Sequence, residues 1–340
     1  MNRCLGLAEL GLGFAAPNPL VGSVIVHHNR IIGEGYHQVF GGPHAEVNAI
    51  EAVADKSLLT GSTLYVNLEP CSHSGKTPPC ADLIIKTGIP EVVIGTSDPN
   101  PVVSGNGINK LKQAGIRVIS GVLEDRCLAL NRRFFTFHNF KRPYVILKWA
   151  QTRDGFMDID RSDSGIHQPT WISNEISRML VHKWRSEEQA ILIGTQTALM
   201  DNPRLNVREW PGNSPIRMII DRNLRLPGDL HVFDNSSSTL VFNGIKDSRE
   251  QQTEYVRLDF SGSILDQLLT FLYARNIQSV FVEGGQKLLT SFISENRWDE
   301  ARVFTGQGKF GHGLPAPVIA HVEPEEHRIR EDVIFFYYNQ

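Results

Sequence analysis

The sequence predicts an α/β protein of two domains, and three observations support this prediction. The chain has 340 residues, which is more than one hydrophobic core usually serves, so two domains are expected. Strand-like and helix-like segments alternate along the chain, which is typical of sheets covered by helices. The aromatic and basic stretch FFTFHNFKRP, at 134–143, separates two such series. We therefore expect one domain at residues 1–141 and a second at residues 142–340.

Hydrophobic periodicity predicts the order of elements in the first domain. Leu5, Ala8 and Leu12 recur at helical spacing and indicate an N-terminal helix. A second helix is predicted from Pro43 to about Ala54. Further helices are expected near 81–87 and 107–114, and strands at 20–26, 31–36, 62–66, 91–95 and 116–119.

The second domain is predicted to repeat this alternation. Its strands are expected at 144–149, 190–194, 216–220, 240–243, 255–258, 279–283 and 333–338, and its helices at 175–185, 264–275 and from Gly285 onward. The double glycine of SVFVEGGQKLL lets backbone N–H groups approach a phosphate, although a tight turn is the simpler explanation. This segment lacks the G-x-G-x-x-G pattern, so it does not indicate a Rossmann dinucleotide site. Arg185, Arg204 and Arg208 offer guanidinium groups to a phosphate or to surface salt bridges.

Composition limits the class of protein. Hydrophobic residues make up 41% and charged residues 21% of the chain, which is typical of globular proteins. A formal net charge of −3 argues against a nucleic-acid partner. Apolar runs are too short to span a membrane, and the first residues lack the apolar core of a signal peptide. Four cysteines are too few for a disulfide framework, so a reduced, cytoplasmic protein without a membrane partner is expected.

The strongest motif in the first domain combines His44, Glu46, Cys71 and Cys80. One imidazole and two thiolates suit Zn²⁺, and three protein ligands leave the fourth position to a water that ionises near neutral pH. The Pro43 start places Glu46 in a first helical turn, from which it can move protons from the water to leaving ammonia. This ordered set is the zinc-deaminase signature. A structural zinc site, or two unrelated buried cysteines, is the alternative.

The segment between the two cysteines is longer than the two residues usual in base deaminases. It carries His73 and Lys76, which suit a substrate phosphate, whereas a solvated loop lysine is the alternative. Asn18 and Asn100 each lie between two prolines. A fixed backbone there can aim a short amide at a ligand, but ordinary Asn–Pro turn chemistry explains the pattern equally well.

Five segments of the first domain resemble the deaminase half of the bifunctional riboflavin-biosynthesis deaminase–reductase family. They are APNPLVG (16–22), GYH (35–37), GGPHAE (41–46), EPC…C (69–80) and DPNP (98–101). The resemblance implies a cytidine-deaminase-like α/β/α sandwich with one Zn²⁺ per chain at His44, Cys71 and Cys80, and proton transfer by Glu46. It also implies substrate contacts at Asn18, His37, His73, Lys76 and Asn100.

The second domain resembles the reductase half of the same family in KWAQTRDG (148–155), WIS (171–173), HKWR (182–185), GTQT (194–197), DNPRL (201–205) and EGG (283–285). That half is similar in fold to dihydrofolate reductase and binds NADPH. The resemblance implies cofactor contacts at Ala150, Trp171, Thr197, Asp201, Gly285, Gln286, Lys287, Leu288, Leu289, Thr290 and Ser291. It implies substrate contacts at Lys148, Asp154, Arg185, Leu205, Arg208 and Glu283. Residues 161–170 depart from the family's usual sequence, and Pro169 stands where a substrate-binding Ser is common.

The family resemblance implies a two-step enzyme. The first half would deaminate 2,5-diamino-6-(5-phosphoribosylamino)pyrimidin-4(3H)-one by zinc-hydroxide hydrolysis. The second would use NADPH to reduce the ribosyl side chain of 5-amino-6-(5-phosphoribosylamino)uracil to ribityl. Small phosphorylated pyrimidines are the expected partners, and a homo-oligomer is expected. The alternative is a zinc deaminase of another phosphorylated base or nucleotide with a non-catalytic C-terminal domain. The intact Glu46 disfavours a purely binding module, which would have no need of a proton shuttle.

Overall fold

A computed structural model of the protein describes residues 1–72, 78–99, 104–161 and 170–339. The polypeptide divides into two units, Met1–Lys141 and Arg142–Gln340. Among the described residues, no helix combines the length and the apolar character needed to cross a bilayer.

The first unit is built on a five-stranded sheet in the order β2-β1-β3-β4-β5. Strand β1 is antiparallel to β2 and β3, whereas β3, β4 and β5 are parallel. The strands are β1 Gly22–His27, β2 Arg30–Tyr36, β3 Thr63–Leu68, β4 Glu91–Thr96 and β5 Arg117–Ile119. The helices are α1 Asn2–Ala8, α2 Ala45–Ala52, α3 Cys80–Thr87, α4 Asn106–Gln113, α5 Glu124–Leu130 and α6 Arg132–Phe140.

Helices cover both faces of this sheet. Successive side chains of a strand point to opposite faces. Ile25 of β1 is buried in a cluster with Ala49 of α2, whereas Val24 is buried with Leu7 of α1. The unit is therefore a three-layer α/β/α sandwich.

Two glycines of β2 bring α2 unusually close to the sheet. A Cβ on Gly33 would overlap the carbonyl oxygen of Ala49, and a Cβ on Gly35 would overlap the backbone nitrogen of Ala49. Because neither position carries a side chain, α2 can lie directly against the strand. This packing sets the position of the helix start, where His44 and Glu46 lie.

The second unit contains a ten-stranded sheet in the order β11-β12-β10-β9-β8-β13-β6-β14-β17-β16. The strands from β12 to β14 in this order are parallel, and antiparallel strands β11, β17 and β16 complete the two edges. The strands of this sheet are β6 Tyr144–Gln151, β8 Ala190–Gly194, β9 Ile216–Ile220, β10 Thr239–Asn243, β11 Ser248–Glu250, β12 Thr253–Arg257, β13 Ser279–Val282, β14 Glu300–Thr305, β16 Glu325–Ile329 and β17 Asp332–Tyr338. Two further strands, β7 Phe156–Asp158 and β15 Leu314–Pro315, form a separate antiparallel pair. The helices are α7 Glu175–Glu187, α8 Thr195–Asp201, α9 Ile264–Ala274 and α10 Gln286–Ser294.

Helices also cover both faces of the second sheet. On β6, Leu147 is buried with Leu268 of α9, and Ile146 is buried with Trp184 of α7. A parallel sheet covered in this way opens to ligands at the carboxyl ends of its strands. Those ends are where the predicted reductase residues lie.

Candidate active sites

The predicted metal ligands converge in the first unit. His44 Nδ1, Cys71 Sγ and Cys80 Sγ all lie within 4.8 Å of one another. The nitrogen is 3.3 Å from the Cys80 sulfur and 3.6 Å from the Cys71 sulfur. A tetrahedral Zn²⁺ about 2.0 Å from nitrogen and about 2.3 Å from sulfur would separate these atoms by about 3.6 Å. The donor set and its spacing therefore match a zinc site.

Local structure explains why the three ligands meet. His44 has an extended backbone and immediately precedes α2, and Cys80 is the first residue of α3. Cys71 follows β3, and its sulfur accepts a hydrogen bond from the backbone N–H of Cys80 over 3.3 Å. Two helix N-termini therefore face the ligands, and their partial positive charge stabilises thiolates.

When no metal is bound, the two cysteines carry one negative charge between them. A hydrogen bond from the Cys80 thiol lowers the pKa of Cys71 to about 4, with further stabilisation from His44. The same hydrogen bond, together with burial, raises the pKa of the Cys80 thiol. Binding of Zn²⁺ would release the Cys80 proton, because zinc ligates both sulfurs as thiolates.

Glu46 lies in the first turn of α2 and is 3% exposed. Burial raises its pKa to about 7, and the negative charge of Cys71 adds to this effect. A nearby dication would lower that pKa, so the carboxylate form would predominate in the metal-loaded site. A carboxyl group that lies beside a metal, and whose own pKa lies closer to neutral pH than usual, is suited to carrying protons.

The structure also brings His37 and Asn18 to this site. His37 Nδ1 is 3.0 Å from the Pro43 carbonyl oxygen, which can only accept, so Nδ1 carries the proton. The other ring nitrogen, Nε2, therefore accepts from the Asn18 amide over 3.0 Å. Burial lowers the pKa of His37 and favours this neutral ring, which packs edge-to-face on His44 with ring centroids 5.6 Å apart. The three other predicted substrate contacts, His73, Lys76 and Asn100, lie outside the described residues.

Glu69 has a positional role that the sequence does not reveal. Its carboxylate is 4% exposed and accepts four backbone hydrogen bonds of 3.0–3.2 Å, from Asp98, Gly105, Gly107 and Ile108. Three of these donors belong to the start of α4, where a carboxylate is favoured. A side chain on Gly107 would overlap the carbonyl oxygen of Pro70, so the close approach requires glycine. Glu69 thus fixes the start of α4 against the segment that carries Cys71, which lies two residues after Glu69.

The second unit contains a cavity of about 460 Å³ at the carboxyl ends of β8, β13 and β6. It collects nine of the residues predicted for the reductase site. They are Lys148, Ala150, Trp171, Arg185, Thr197, Asp201, Leu205, Arg208 and Glu283.

Two of the residues that line this cavity form an ion pair. Arg185 binds Glu283 with two hydrogen bonds, Nε–Oε1 of 2.6 Å and Nη2–Oε2 of 2.7 Å. Burial alone would raise the pKa of Glu283, but Arg185 and then Lys148 hold it below its ordinary value. Burial lowers the pKa of Lys148, and Glu283 opposes that change. The Glu283 carboxylate therefore interacts with two cations inside the cavity. Of these two, the Lys148 ammonium gives up a proton more readily than the Arg185 guanidinium.

The predicted helix start lies beside the cavity. A Cβ on Gly285 would come within 3.2 Å of Thr197 Oγ1, and its φ of +77° also favours glycine. Gln286, Lys287 and Leu288 form the first turn of α10, where backbone N–H groups have no partner within the helix. Leu289, Thr290 and Ser291 continue into the helix, and Leu289 is fully buried in the core.

Asp154 does not line the cavity. This exposed carboxylate accepts from Thr152 Oγ1 over 2.6 Å and from the backbone N–H groups of Phe310 and Gly311 over 3.2 and 2.8 Å. Residues 306–311, GQGKFG, have G-x-G-x-x-G spacing, but no helix follows them and Asp154 occupies two of their N–H groups. The structure therefore gives Asp154 a loop-holding position.

A second cavity, of about 720 Å³, lies at the carboxyl ends of β9, β10 and β12. Arg222 and Arg257 both line it, and the Arg222 guanidinium lies 5.3 Å from the ring centre of Phe260. No motif of the sequence predicts a role for these residues. Arginines directly after parallel strands are a signal that could have identified them.

Comparisons with known proteins assign both units. Residues 1–96 match the model for the cytidine and deoxycytidylate deaminase zinc-binding region, and residues 143–323 match the RibD C-terminal domain. The riboflavin biosynthesis protein RibD of Aquifex aeolicus is 40% identical over 319 residues, or 92% of this chain and 88% of that protein. The Escherichia coli (strain K12) protein of the same name is 36% identical over 323 residues, or 89% of this chain and 86% of that protein.

Solved structures agree over the whole length. A diaminohydroxyphosphoribosylaminopyrimidine deaminase/5-amino-6-(5-phosphoribosylamino)uracil reductase from Thermotoga maritima has a TM-score of 0.91 and 40% identity, covering 100% of this chain and 97% of that one. RibD from Acinetobacter baumannii has a TM-score of 0.88 and 31% identity, covering 100% and 98%. The chain therefore belongs to the RibD family of bifunctional riboflavin-biosynthesis enzymes, in which a zinc deaminase domain is followed by a reductase domain.

Proposed function

We propose that the two units, at residues 1–141 and 142–340, act in turn on one phosphoribosyl pyrimidine. The first would convert 2,5-diamino-6-(5-phosphoribosylamino)pyrimidin-4(3H)-one into 5-amino-6-(5-phosphoribosylamino)uracil and ammonia. The second would reduce the ribosyl group of that product to ribityl with NADPH. The observation that carries the proposal is the His44–Cys71–Cys80 cluster with the buried Glu46 beside it.

The deaminase residues divide the work of hydrolysis. Zn²⁺, when bound by one histidine and two cysteines, supplies a Lewis acid that activates water. Glu46 accepts a proton from the attacking water and passes it to the amino group that leaves as ammonia. Asn18, held by the neutral His37, presents its amide to the substrate. We expect one Zn²⁺ per chain.

NADPH, when bound in the second unit, would supply hydride to C1′ of the ribosyl group. The C1′–O4′ bond would break in the same process, and O4′ would take up a proton to become a hydroxyl. Lys148, whose pKa is lowered by burial, is suited to deliver that proton. Arg185 and Glu283 hold each other and orient the sugar, while Arg208 at the cavity wall is available to the phosphate.

The two cavities of the second unit support an extended dinucleotide. Both lie at the carboxyl ends of neighbouring parallel strands of one sheet. The nicotinamide end would lie near Trp171 and Thr197, and the adenosine end near Arg222 and Arg257. Two arginines there favour the extra phosphate of NADPH over NADH.

The match of residues 143–323 to the RibD C-terminal domain favours this proposal over the alternative of a non-catalytic second domain. A cavity that contains several charged groups, here those of Arg185, Glu283 and Lys148, also suits catalysis better than it suits subunit assembly. The homo-oligomer expected from the family resemblance remains a prediction.

A sequential assay tests the proposal. With the diaminopyrimidinone phosphate and NADPH, ammonia release should precede NADPH oxidation. Glu46→Gln should keep zinc but slow ammonia release by about 10²–10⁴-fold. The same variant should oxidise NADPH at the parent rate when it is supplied with the deaminated pyrimidine. Ammonia release at the parent rate by Glu46→Gln would contradict the assigned chemistry, and NADPH oxidation without any pyrimidine would contradict the assigned order.

A further inference from the structure

Asp158, Arg161 and Thr170 form a closed hydrogen-bond network beside the reductase cavity. Arg161 donates to both carboxylate oxygens of Asp158, with Nε–Oδ2 of 2.6 Å and Nη2–Oδ1 of 2.9 Å. Its Nη2 also donates to Thr170 Oγ1 over 3.0 Å. The Thr170 hydroxyl in turn donates to Asp158 Oδ1 over 2.9 Å. Every donor in the ring therefore faces an acceptor, and the Thr170 side chain is held on two sides.

This network is anchored to the two-stranded β7–β15 sheet and is largely shielded from water. Asp158 ends β7 and pairs with Leu314 of β15, and its Oδ1 also accepts from the Ile159 N–H over 2.9 Å. The Arg161 side chain is 9% exposed. An ion pair with this geometry and this little exposure holds its members more firmly than a surface pair does.

Thr170 is the residue directly before Trp171, and both line the cavity. The Trp171 side chain is 61% exposed, and one face of its ring lies 4.7 Å from the Arg178 guanidinium. An indole this exposed needs a fixed backbone to keep one orientation. The network supplies that restraint on the N-terminal side of Trp171, and Arg178 supplies a contact to the ring.

Arg161 also acts electrostatically on a second residue that lines the cavity, Asp201. Burial raises the pKa of Asp201, which lines the cavity on α8; the charge of Arg161 opposes this shift, and the charge of Asp158 adds to it. Arg161 itself is not among the residues that line the cavity. Its influence on a ligand therefore passes through Thr170, Trp171 and Asp201.

We propose that Arg161 is a positioning residue of the reductase site, which holds Trp171 in place against the nicotinamide cofactor through Thr170. This inference rests on the proposed reductase function, in which Trp171 contacts the cofactor. The network orders Trp171 before NADPH binds, so cofactor binding does not include the entropic cost of ordering that side chain.

Two variants and two matched controls test the inference in the full chain. Arg161→Met removes the network. Thr170→Val removes only the hydrogen bonds of the Thr170 hydroxyl and preserves the Arg161–Asp158 pair. Arg161→Lys keeps the charge but not the two-point geometry. Arg249→Met alters an exposed arginine on β11. All five tryptophans lie in the second unit, so energy transfer from tryptophan to NADPH reports cofactor binding there.

Arg161→Met and Thr170→Val should each raise the NADPH Kd and KM about three- to tenfold, the effect of having to order one side chain on binding. The kcat at saturating NADPH should change by less than about twofold, because Trp171 binds cofactor equally in the ground and transition states. Arg161→Lys should recover part of the affinity. Ammonia release by every variant, and all properties of Arg249→Met, should equal those of the parent.

Unchanged NADPH Kd and KM in Thr170→Val would overturn the inference. If Arg161→Met loses the melting transition of the second unit, followed by tryptophan fluorescence, the variant has unfolded, and Thr170→Val alone decides for or against the inference. A parent protein that binds and oxidises no NADPH would overturn the proposed function and this inference together. The failure of the inference alone is distinct, because it leaves NADPH oxidation by the parent intact.

Discussion

At the scale of single residues, Glu69 shows how one buried carboxylate can order the backbone around a metal site. Its four backbone donors converge from both sides of α4's start. Hydrogen bonds to a charged acceptor are stronger than neutral ones, and their loss leaves buried N–H groups without partners. The nearest donor in sequence is 29 residues away and the farthest is 39. No local pattern could predict such contacts.

We expect Glu69→Gln to lower the free energy of unfolding of the first unit by about 2–4 kcal/mol, because the new NH₂ group would face two N–H donors. Zinc content per chain should fall as well, since Cys71 lies two residues away. Calorimetry and atomic absorption measure the two effects. Glu34→Gln is the matched control, because Glu34 binds Arg3 in a surface ion pair, and such exposed pairs contribute little to stability. Equal destabilisation by both variants would contradict the role given to Glu69.

The candidate zinc ligands were predictable, because short segments of the sequence contain the required residue types and predict a helix start beside His44. The structure brings the three predicted ligands together in one cluster. The tautomer of His37 was not predictable, since it depends on the Pro43 carbonyl oxygen six residues along a folded turn.

At the scale of elements, the close packing of α2 on β2 determines where His44 and Glu46 lie. We expect Gly35→Ala to push the helix away, since the new Cβ would lie 2.6 Å from Asn48 Cβ and 2.7 Å from Ala45 O. Such overpacking costs about 1–3 kcal/mol. Ammonia release should fall more than NADPH oxidation, and steady-state assays of both activities compare them. Gly6→Ala is the control, because a Cβ there meets nothing within 4 Å. Parent-level ammonia release by Gly35→Ala would show that α2 tolerates displacement.

Periodicity located most strands and helices but failed where charge is buried. Strand β14 is not predicted, because Glu300 and Arg302 break its apolar pattern. In the structure they are almost fully buried and paired over 2.6 Å, so a central strand carries two charges. The predicted N-terminal helix extends too far, since α1 ends at Ala8 and a 3₁₀ turn, Glu9–Gly11, follows. Leu12 therefore lies outside the helix.

At the scale of the whole molecule, the two sets of residues to which we assign catalysis belong to separate units. We expect removal of zinc with a chelator to abolish ammonia release while leaving NADPH oxidation with the deaminated pyrimidine unchanged. Parallel assays before and after dialysis, with zinc added back as the control, measure this independence. A matching loss of both activities that zinc restores together would show that the reductase depends on the metal.

The order of motifs along the chain was sufficient to predict the family and the fold class, and both are confirmed by full-length relatives. The shape of the reductase cavity was not predictable in the same way. Its walls come from β6, α7, α8 and the loops that follow α8 and β13, and no single segment encodes their meeting. For the same reason the second cavity and its arginines were missed.

The outermost strands of the large sheet have a consequence for aggregation. Strand β16 carries EEHR at Glu325 to Arg328, all exposed, and the opposite edge strand, β11, has only three residues. Unprotected strand edges recruit strands from neighbouring molecules and begin fibrils, whereas charged or very short edges resist such recruitment. Molecules of this protein should therefore stay apart along both borders of the sheet even at high concentration, and assembly of a homo-oligomer would have to use other faces.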